Sequence, residues 1–493
     1  MSNFTLNKLV FGKNDGKREA QIDDFENLFY DFDSLYYRAI DKTKFLVLGR
    51  KGTGKTLLAE LIKKRADGVD NWICSLGNYK KFCLEKLRSL KSNTDMKADE
   101  YISIWEWLIL IELGKLLLNT FPNKELIEYK ILDNFYKENN FELTLNANKV
   151  LDTTAERRIK GDLGLYFMKA GGESKITSKI VKGDYLDYLD SLKEIILKLF
   201  LELPNTKYTL MYDELDSKFK NEEEYKNSII SLIKASNDLN ELFLKNYISV
   251  KVMVFLRQDI FKLLNDYDLN KIKEDCSITI DWGTNVSDNS PLVDMIINKI
   301  KKSHLKFKDL NKTDILKELF TDVKFYTVRG QQSFKAFDYM LTRTFLRPRD
   351  IVTYLNKIAE KYPDKDIILG EYIADIEKSY SDYLFNEIKN ELKGHLTDED
   401  IDRIFSLINK FSRRSFKYET LENYYSKRKN IFGEINLRES ISLLFKFGAL
   451  GNVRYDKNKR KYYKWAYRED NIEVNLEETL VLHLGLRKKF NLQ

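Results

Sequence analysis

Eight residues near the start of the chain, "GRKGTGKT" from Gly49 to Thr56, restrict its fold more than any other stretch. They match G-x-x-x-x-G-K-[ST], a loop whose backbone N–H groups turn inward around a phosphate chain. The run before it, "FLVLG", reads as a buried strand, and Leu57, Leu58, Leu61 and Ile62 after it fall on one helical face. Gly49, Gly52, Thr53 and Gly54 are therefore expected to form the cradle, with Lys55, Thr56 and Leu57 opening the helix. That helix start adds its partial positive charge. Lys55 would reach the β- and γ-phosphates, and the Thr56 hydroxyl would ligate Mg²⁺. A chance match in a chain this long is expected on the order of 1% of the time.

The rest of the chain must supply a sheet for that loop. Strand-like runs recur at "WICSL" (72–76), "YTLMYDE" (208–214), "VKVMVFLR" (250–257) and "SITIDW" (277–282), separated by helical stretches. Such alternation predicts an α/β fold, a P-loop NTPase core with a parallel sheet and helices on both faces. An insertion is expected at about 120–181, where alternating segments flank Gly171 and Gly172 as in a hairpin. The core is assigned to 1–290. From 291 to 365 the sequence turns helical and suits a small lid. Residues 366–493 shift to charged amphipathic helices, then "ESISLLFKFGALGNVRYDKNKRKYYKWAYRED" (439–470). Helix, glycine-marked turn, strand, basic loop and aromatic strand follow the order of a winged helix-turn-helix.

With 493 residues, 43% of them hydrophobic, the chain can bury a large core. Its formal charge of +7, from 83 basic and 76 acidic residues, is mild and by itself says little about nucleic acid. Cys74, Cys83 and Cys276 form no C-x-x-C pair, which suits reduced thiols and a cytoplasmic location. The first residues show no signal-peptide pattern. "ISIWEWLILIELGKLLL" (102–118) contains Glu106, Glu112 and Lys115 and reads as a buried helix, so no membrane association is expected. His304, His395 and His483 stand apart, without the spacing of a zinc site.

The third strand ends "YTLMYDELD". Asp213 would hold Mg²⁺, and Glu214 would orient or deprotonate the attacking water, the two roles of a Walker B element. Asp216 reads as part of the turn. "NKTD", Asn311 to Asp314, matches a guanine-reading motif, yet no buried strand leads into it and Thr313 reads as the N-cap of "DILKELF". Adenine is therefore the expected base and ATP the expected nucleotide. Arg257 closes the fourth strand at the edge where a parallel sheet presents its ligand. Arg347 and Arg349 flank Pro348 where a lid helix begins, so either could report the γ-phosphate. For each arginine, pairing with an acidic neighbour on the surface is an equally good reading.

This order of parts resembles the AAA+ superfamily, especially the STAND and origin-recognition-like ATPases of bacteria and archaea. The resemblance is carried by "LVFGKNDGKRE", "GRKGTGKT", "YDELD", "FLRQD", "IDW...PLVDMIINKI" and "RPRD". It implies phosphate binding by Lys55 and Thr56, Mg²⁺ at Asp213, catalysis by Glu214, sensing by Arg257, and lid contact by Arg347 or Arg349. Gly12 would lie near the adenine, with Lys13 where relatives usually carry arginine. No arginine finger for a neighbouring subunit is identifiable, which leaves a homo-oligomer open. Relatives of this kind often occur in mobile-element and anti-phage defence loci.

Three functions fit these residues. The first is a regulatory ATPase whose nucleotide state exposes a surface to a separately encoded protein partner or effector. The second is a DNA-binding ATPase of the initiator or transposition-helper kind, gripping phosphates with Lys457, Lys459, Arg460 and Lys461 at the hairpin tip; the same lysines would equally keep an exposed tip soluble. A small-molecule kinase is disfavoured because no acceptor site accompanies the loop.

Overall fold

The computed structural model describes residues 4–78, 98–141, 150–151, 154, 159, 163, 184–215, 221–327, 330–455, 460–469 and 471–492. The insertion's glycine hairpin, Asp216, Cys83 and the tip residues Asp456 to Lys459 lie outside them. The chain divides into two compact units. One comprises Ser34–Lys51 and Lys55–Ile280, the other Met1–Asp33, Gly52–Gly54 and Asp281–Gln493.

The first unit is built on a five-stranded sheet in the order β2-β3-β4-β1-β5. Its strands are β1 (Leu46–Gly49), β2 (Trp72–Asn78), β3 (Lys207–Asp213), β4 (Val250–Arg257) and β5 (Ser277–Ile280). All neighbours run parallel. Parallel strands covered on both faces need near-continuous apolar sequence, which β1, β3 and β4 have. Helix α1 (Lys55–Asp67) follows β1 directly and buries Leu58, Ala59, Leu61, Ile62 and Ala66. The long helices α2 (Ala98–Thr120), α3 (Tyr185–Leu201) and α4 (Glu223–Lys245) close the core, α2 packing on both of the others.

Helix α2 shows why an apolar segment with three charges belongs in a protein core. Glu106 is paired with Lys193 at 3.2 Å, and Glu112 accepts the Tyr212 hydroxyl at 3.1 Å. Trp105 and Trp107 donate their indole N–H groups to Ser228 and Thr154. Each buried polar atom so partnered avoids a penalty of about 1–3 kcal/mol. No helix among the described residues is long and apolar enough to cross a membrane. Cys74 and Cys276 are free thiols, and burial pushes Cys74 up to about 12.

In the second unit, helix α5 (Pro291–Ser303) begins with Pro291 in its first turn and Ser290 as N-cap. The "NKTD" segment differs from expectation: Asn311, not Thr313, caps the helix Lys312–Leu319, its carboxamide oxygen accepting the Asp314 N–H at 3.0 Å. Asparagine's short side chain reaches that N–H from an extended backbone, whereas Thr313 is already helical. The segment expected to be wholly helical also contains a hairpin, β6 (Val323–Thr327) with β7 (Gly330–Phe334). Phe325 stacks on Tyr339 at 5.4 Å, which fixes one face of the hairpin, and Gly330 takes a φ of +112° as β7 begins. Helix α6 (Pro348–Lys361) follows.

Towards the end of the chain, the helix Leu437–Lys446 leads through Gly448 (φ +78°) into β9 (Leu450–Tyr455), with β10 (Lys461–Lys464) antiparallel to it. Two strands absent from the sequence reading, β8 (Ser415–Lys417) and β11 (Thr479–Leu482), complete a sheet in the order β10-β9-β11-β8.

Candidate nucleotide-binding site

The parallel register decides which side chains meet. Gly49 lies opposite Arg257, while Asp213 is the last residue of β3, so β1, β3 and β4 deliver all three to the carboxyl edge of the sheet. The chain leaves β1 through a turn in which Gly52 and Gly54 adopt φ values of +83° and +105°. Such values suit glycine.

Lys55 begins α1, and its ammonium group donates back to the carbonyl oxygens of Gly49 at 3.0 Å and Arg50 at 3.2 Å. Thr56 Oγ1 donates to Asp213 Oδ2 at 2.7 Å. Two residues 157 positions apart are thus brought into direct contact, Asp213 being only 4% exposed. Leu57, in the same first turn, is half-buried.

Glu214 follows with a φ of +61°. A non-glycine residue held there departs from the strand and sends its side chain in a different direction from a regular continuation. Arg257 Nε donates to Asp259 Oδ1 at 3.0 Å and Nη2 to Oδ2 at 2.6 Å, a two-point pair. Burial works to raise the Asp259 carboxyl, but Arg257 beside it, with a further pull from Lys55, holds it below the usual carboxylate range. Asp259 went unrecognised in the sequence, although "RQD" places it two residues beyond the arginine.

Within the other unit, the tip residues Gly52–Gly54 have their own partners. The Trp282 indole donates to the Thr53 carbonyl at 3.0 Å, and Phe32 stacks on Trp282 at 5.3 Å. The Arg349 N–H points to the Gly52 carbonyl at 3.4 Å, and a Cβ on Gly52 would stand 3.2 Å from that of Arg349. Arg349 Nε donates to the Asn14 carbonyl at 2.9 Å. Gly12 has a φ of +116°, and its carbonyl accepts from Asn356 at 2.9 Å. Glu19 accepts from the Lys13 N–H at 3.2 Å and forms a buried ion pair with Lys299.

Arg347 differs sharply from Arg349. It is 3% exposed, bonded through Nε and Nη2 to Asp350 at 2.9 and 3.0 Å, and through Nη1 to Glu391 at 2.8 Å. Of the hairpin-tip cations, Arg460 and Lys461 are exposed, while Lys457 and Lys459 lie outside the described residues.

The histidines occupy structural positions. His304 caps a short helix by accepting the Lys306 N–H, His395 packs on Phe447, and His483 is buried beside Tyr467. Among the described residues no cluster of three or more His, Cys, Asp or Glu could hold a metal by itself.

A domain family described as the FunZ-associated C-terminal helical domain matches residues 290–389. The match covers α5, the β6–β7 hairpin and α6. No curated protein gives a significant match to the chain.

Proposed function

We propose that the chain is an ATP-binding and ATP-hydrolysing switch, a P-loop ATPase of AAA+ or STAND-like type acting on a separate protein partner. The observation that carries the reading is the 2.7 Å contact between Thr56 and Asp213. A hydroxyl and a carboxylate at the junction of a glycine loop and a strand end are the hard oxygen donors that Mg²⁺ prefers when it keeps several waters. The open space around Gly54, where a Cβ would meet nothing within 4 Å, leaves room for phosphate oxygens to approach the backbone.

On this reading Lys55 exchanges its bonds with Gly49 and Arg50 for the β- and γ-phosphates. The N-terminal amides of α1 add donors. Mg²⁺ held by Thr56 and Asp213 would neutralise charge on the phosphate oxygens. Glu214, turned out of the strand, orients a water in line with the γ-phosphorus and accepts its proton. Arg257, fixed by Asp259 at the end of β4, adds a positive charge near the charge that develops.

The switch follows from the course of the chain. Gly52–Gly54 is packed by Arg349 and Trp282, and the next residue, Lys55, opens the phosphate-binding helix. A change at Lys55 therefore acts on residues bonded to Arg349. Three oxygens of Asn14, Gly12 and Gly52 also meet α6, which gives that helix several bonds that could respond.

The test is a pair of variants. Lys55→Ala should abolish measurable ATP binding, because it removes the fixed cation at the phosphates. Glu214→Gln should bind ATP as the parent does and hydrolyse it about 10²-fold more slowly. Unimpaired turnover in Glu214→Gln would remove Glu214 from the mechanism, and full ATP binding by Lys55→Ala would overturn the reading.

A further inference from the structure

Arg414, Arg468 and Arg487, in the segments that flank strands β8, β10 and β11 of the C-terminal sheet, are not used by the nucleotide site. Directly paired residues of antiparallel strands share a face, so Tyr455 with Lys461, and Tyr463 with Val453, Thr479 and Lys417, lie on one side of it. No carboxylate occupies these paired positions. The rings at the edge are open: Tyr455 is 54% exposed and Tyr463 44%. Lys461 Nζ stands 5.9 Å from the centre of the Tyr455 ring.

Further along the same face the sheet is covered. Val453, Trp465 and Val481 form a small cluster with Tyr467, and His483 packs edge-on to Trp465 at 4.9 Å. His483 Nδ1 accepts the Gly485 N–H at 3.2 Å, which leaves the ring proton on Nε2 to donate to the Tyr467 hydroxyl at 3.0 Å. The imidazole is neutral in this arrangement. Burial, then the charges of Arg468, Arg487, Arg343 and Arg347, push its pKa well below the ordinary value.

Arg468, Arg487, Arg343 and Arg347 surround this neutral centre. The Nε atoms of Arg468 and Arg487 are buried with no hydrogen-bond partner among the described residues. Burial, then the nearby Arg414, lowers the pKa of Arg487, with Arg343 adding to the effect, while Tyr463 and the Glu377 carboxylate are close enough to act in the opposite direction. Arg343 is neutralised by Glu377 at 2.8 Å. Arg414 and Arg487 repel each other, a cost that an anionic ligand between them lowers.

We infer that the Tyr455–Tyr463 face of the β9–β10 hairpin, with Arg468, Arg487 and Arg414 beside it, is a binding site for single-stranded nucleic acid. The arginines take backbone phosphates, and the tyrosines offer stacking surfaces to bases. Tyr455 and Tyr463 are diagonal neighbours across the ladder, about 7–8 Å apart, which lets two bases of one strand engage them. A duplex has its bases already stacked and could use only the cations. This site does not depend on the nucleotide chemistry at Lys55.

The experiment is fluorescence anisotropy of the full chain with a labelled oligothymidylate across a salt series, with the matching duplex as competitor. Tyr455→Ala/Tyr463→Ala, at two exposed positions, should weaken binding by about tenfold or more. Arg468→Gln/Arg487→Gln should reduce the slope of log affinity against log salt by about 1.4, the share of two single-strand phosphates. A thermal melt of each variant verifies its fold, and the tyrosine pair provides the decisive arm if the arginine pair melts early. The inference fails if the parent does not bind the oligothymidylate, if the tyrosine pair binds it as the parent does, or if the duplex competes better than the single strand.

Discussion

Arg347 and Arg349 are separated by one proline yet have opposite energetics. Arg347 is enclosed with Asp350 and Glu391; burial works against its charge, but those carboxylates hold the guanidinium protonated far above any accessible pH. Truncation to alanine would strand Asp350, which is fully buried and also accepts the Phe345 N–H. Breaking such a pair costs about 3–5 kcal/mol. Arg349 sits in partial contact with solvent, 3.4 Å from Glu387, and its loss should cost less than about 1 kcal/mol. Urea titration of Arg347→Ala and Arg349→Ala checks the contrast, and equal midpoints would refute it. The sequence placed both arginines at a helix start but could not rank them, because the distinguishing partner, Glu391, is 44 residues away.

At the scale of elements, β4 holds a buried cation one residue into a largely apolar strand. Lys251 is 6% exposed, and its ammonium donates to the carbonyls of Ala39 and Asp41, both at 2.6 Å, where the short helix Leu35–Ile40 ends. Burial first, then Lys207, pushes its pKa down to about 7, with Asp41 pulling weakly the other way. An unfolded lysine titrates near ~10.4. Between about pH 7 and that value the unfolded chain binds the extra proton, so stability from this group rises with pH; below about 7 both states are protonated and it is flat. In Lys251→Met that rise should vanish. Urea midpoints at about pH 7 and pH 9.5 measure it, and an equal gain in parent and variant would exclude Lys251 as the source. The five strands of this sheet were legible because each is a compact apolar run next to a helical pattern. The β6–β7 hairpin was not: β7, "GQQSF", is exposed at every position and carries no alternation to read. β8 spans only Ser415–Lys417 and is recognisable only through its pairing with the distant β11, where Phe416 lies opposite Leu480.

At the scale of the whole molecule, the turn from Gly49 to Thr56 between β1 and α1 was legible because its pattern lies in consecutive residues, and the place of Asp213 because a strand end marks it. Trp282 and Asn14 were not singled out, since their roles depend on backbone oxygens of residues distant in sequence. Those contacts bear on the proposed switch. Arg349 is bonded to the carbonyls of both Gly52 and Asn14, and Thr353 on the same helix donates to Asn14 Oδ1 at 2.7 Å. If nucleotide at Lys55 is transmitted along the loop, the segment around α6 should resist protease better with ATP than with ADP. Arg349→Ala should bind ADP as the parent does and lose the extra protection that ATP confers, because the Nε bond to Asn14 is gone while the backbone bond to Gly52 is retained. Limited proteolysis with each nucleotide, followed by mass mapping of the cut sites, reads this directly. Equal protection by ADP and ATP in the parent would rule out a switch driven by the γ-phosphate. Protection that survives in Arg349→Ala would assign transmission to the Trp282 contact with Thr53 instead, and a Trp282→Phe variant, which keeps the ring but deletes the indole N–H, would then be the one to lose it.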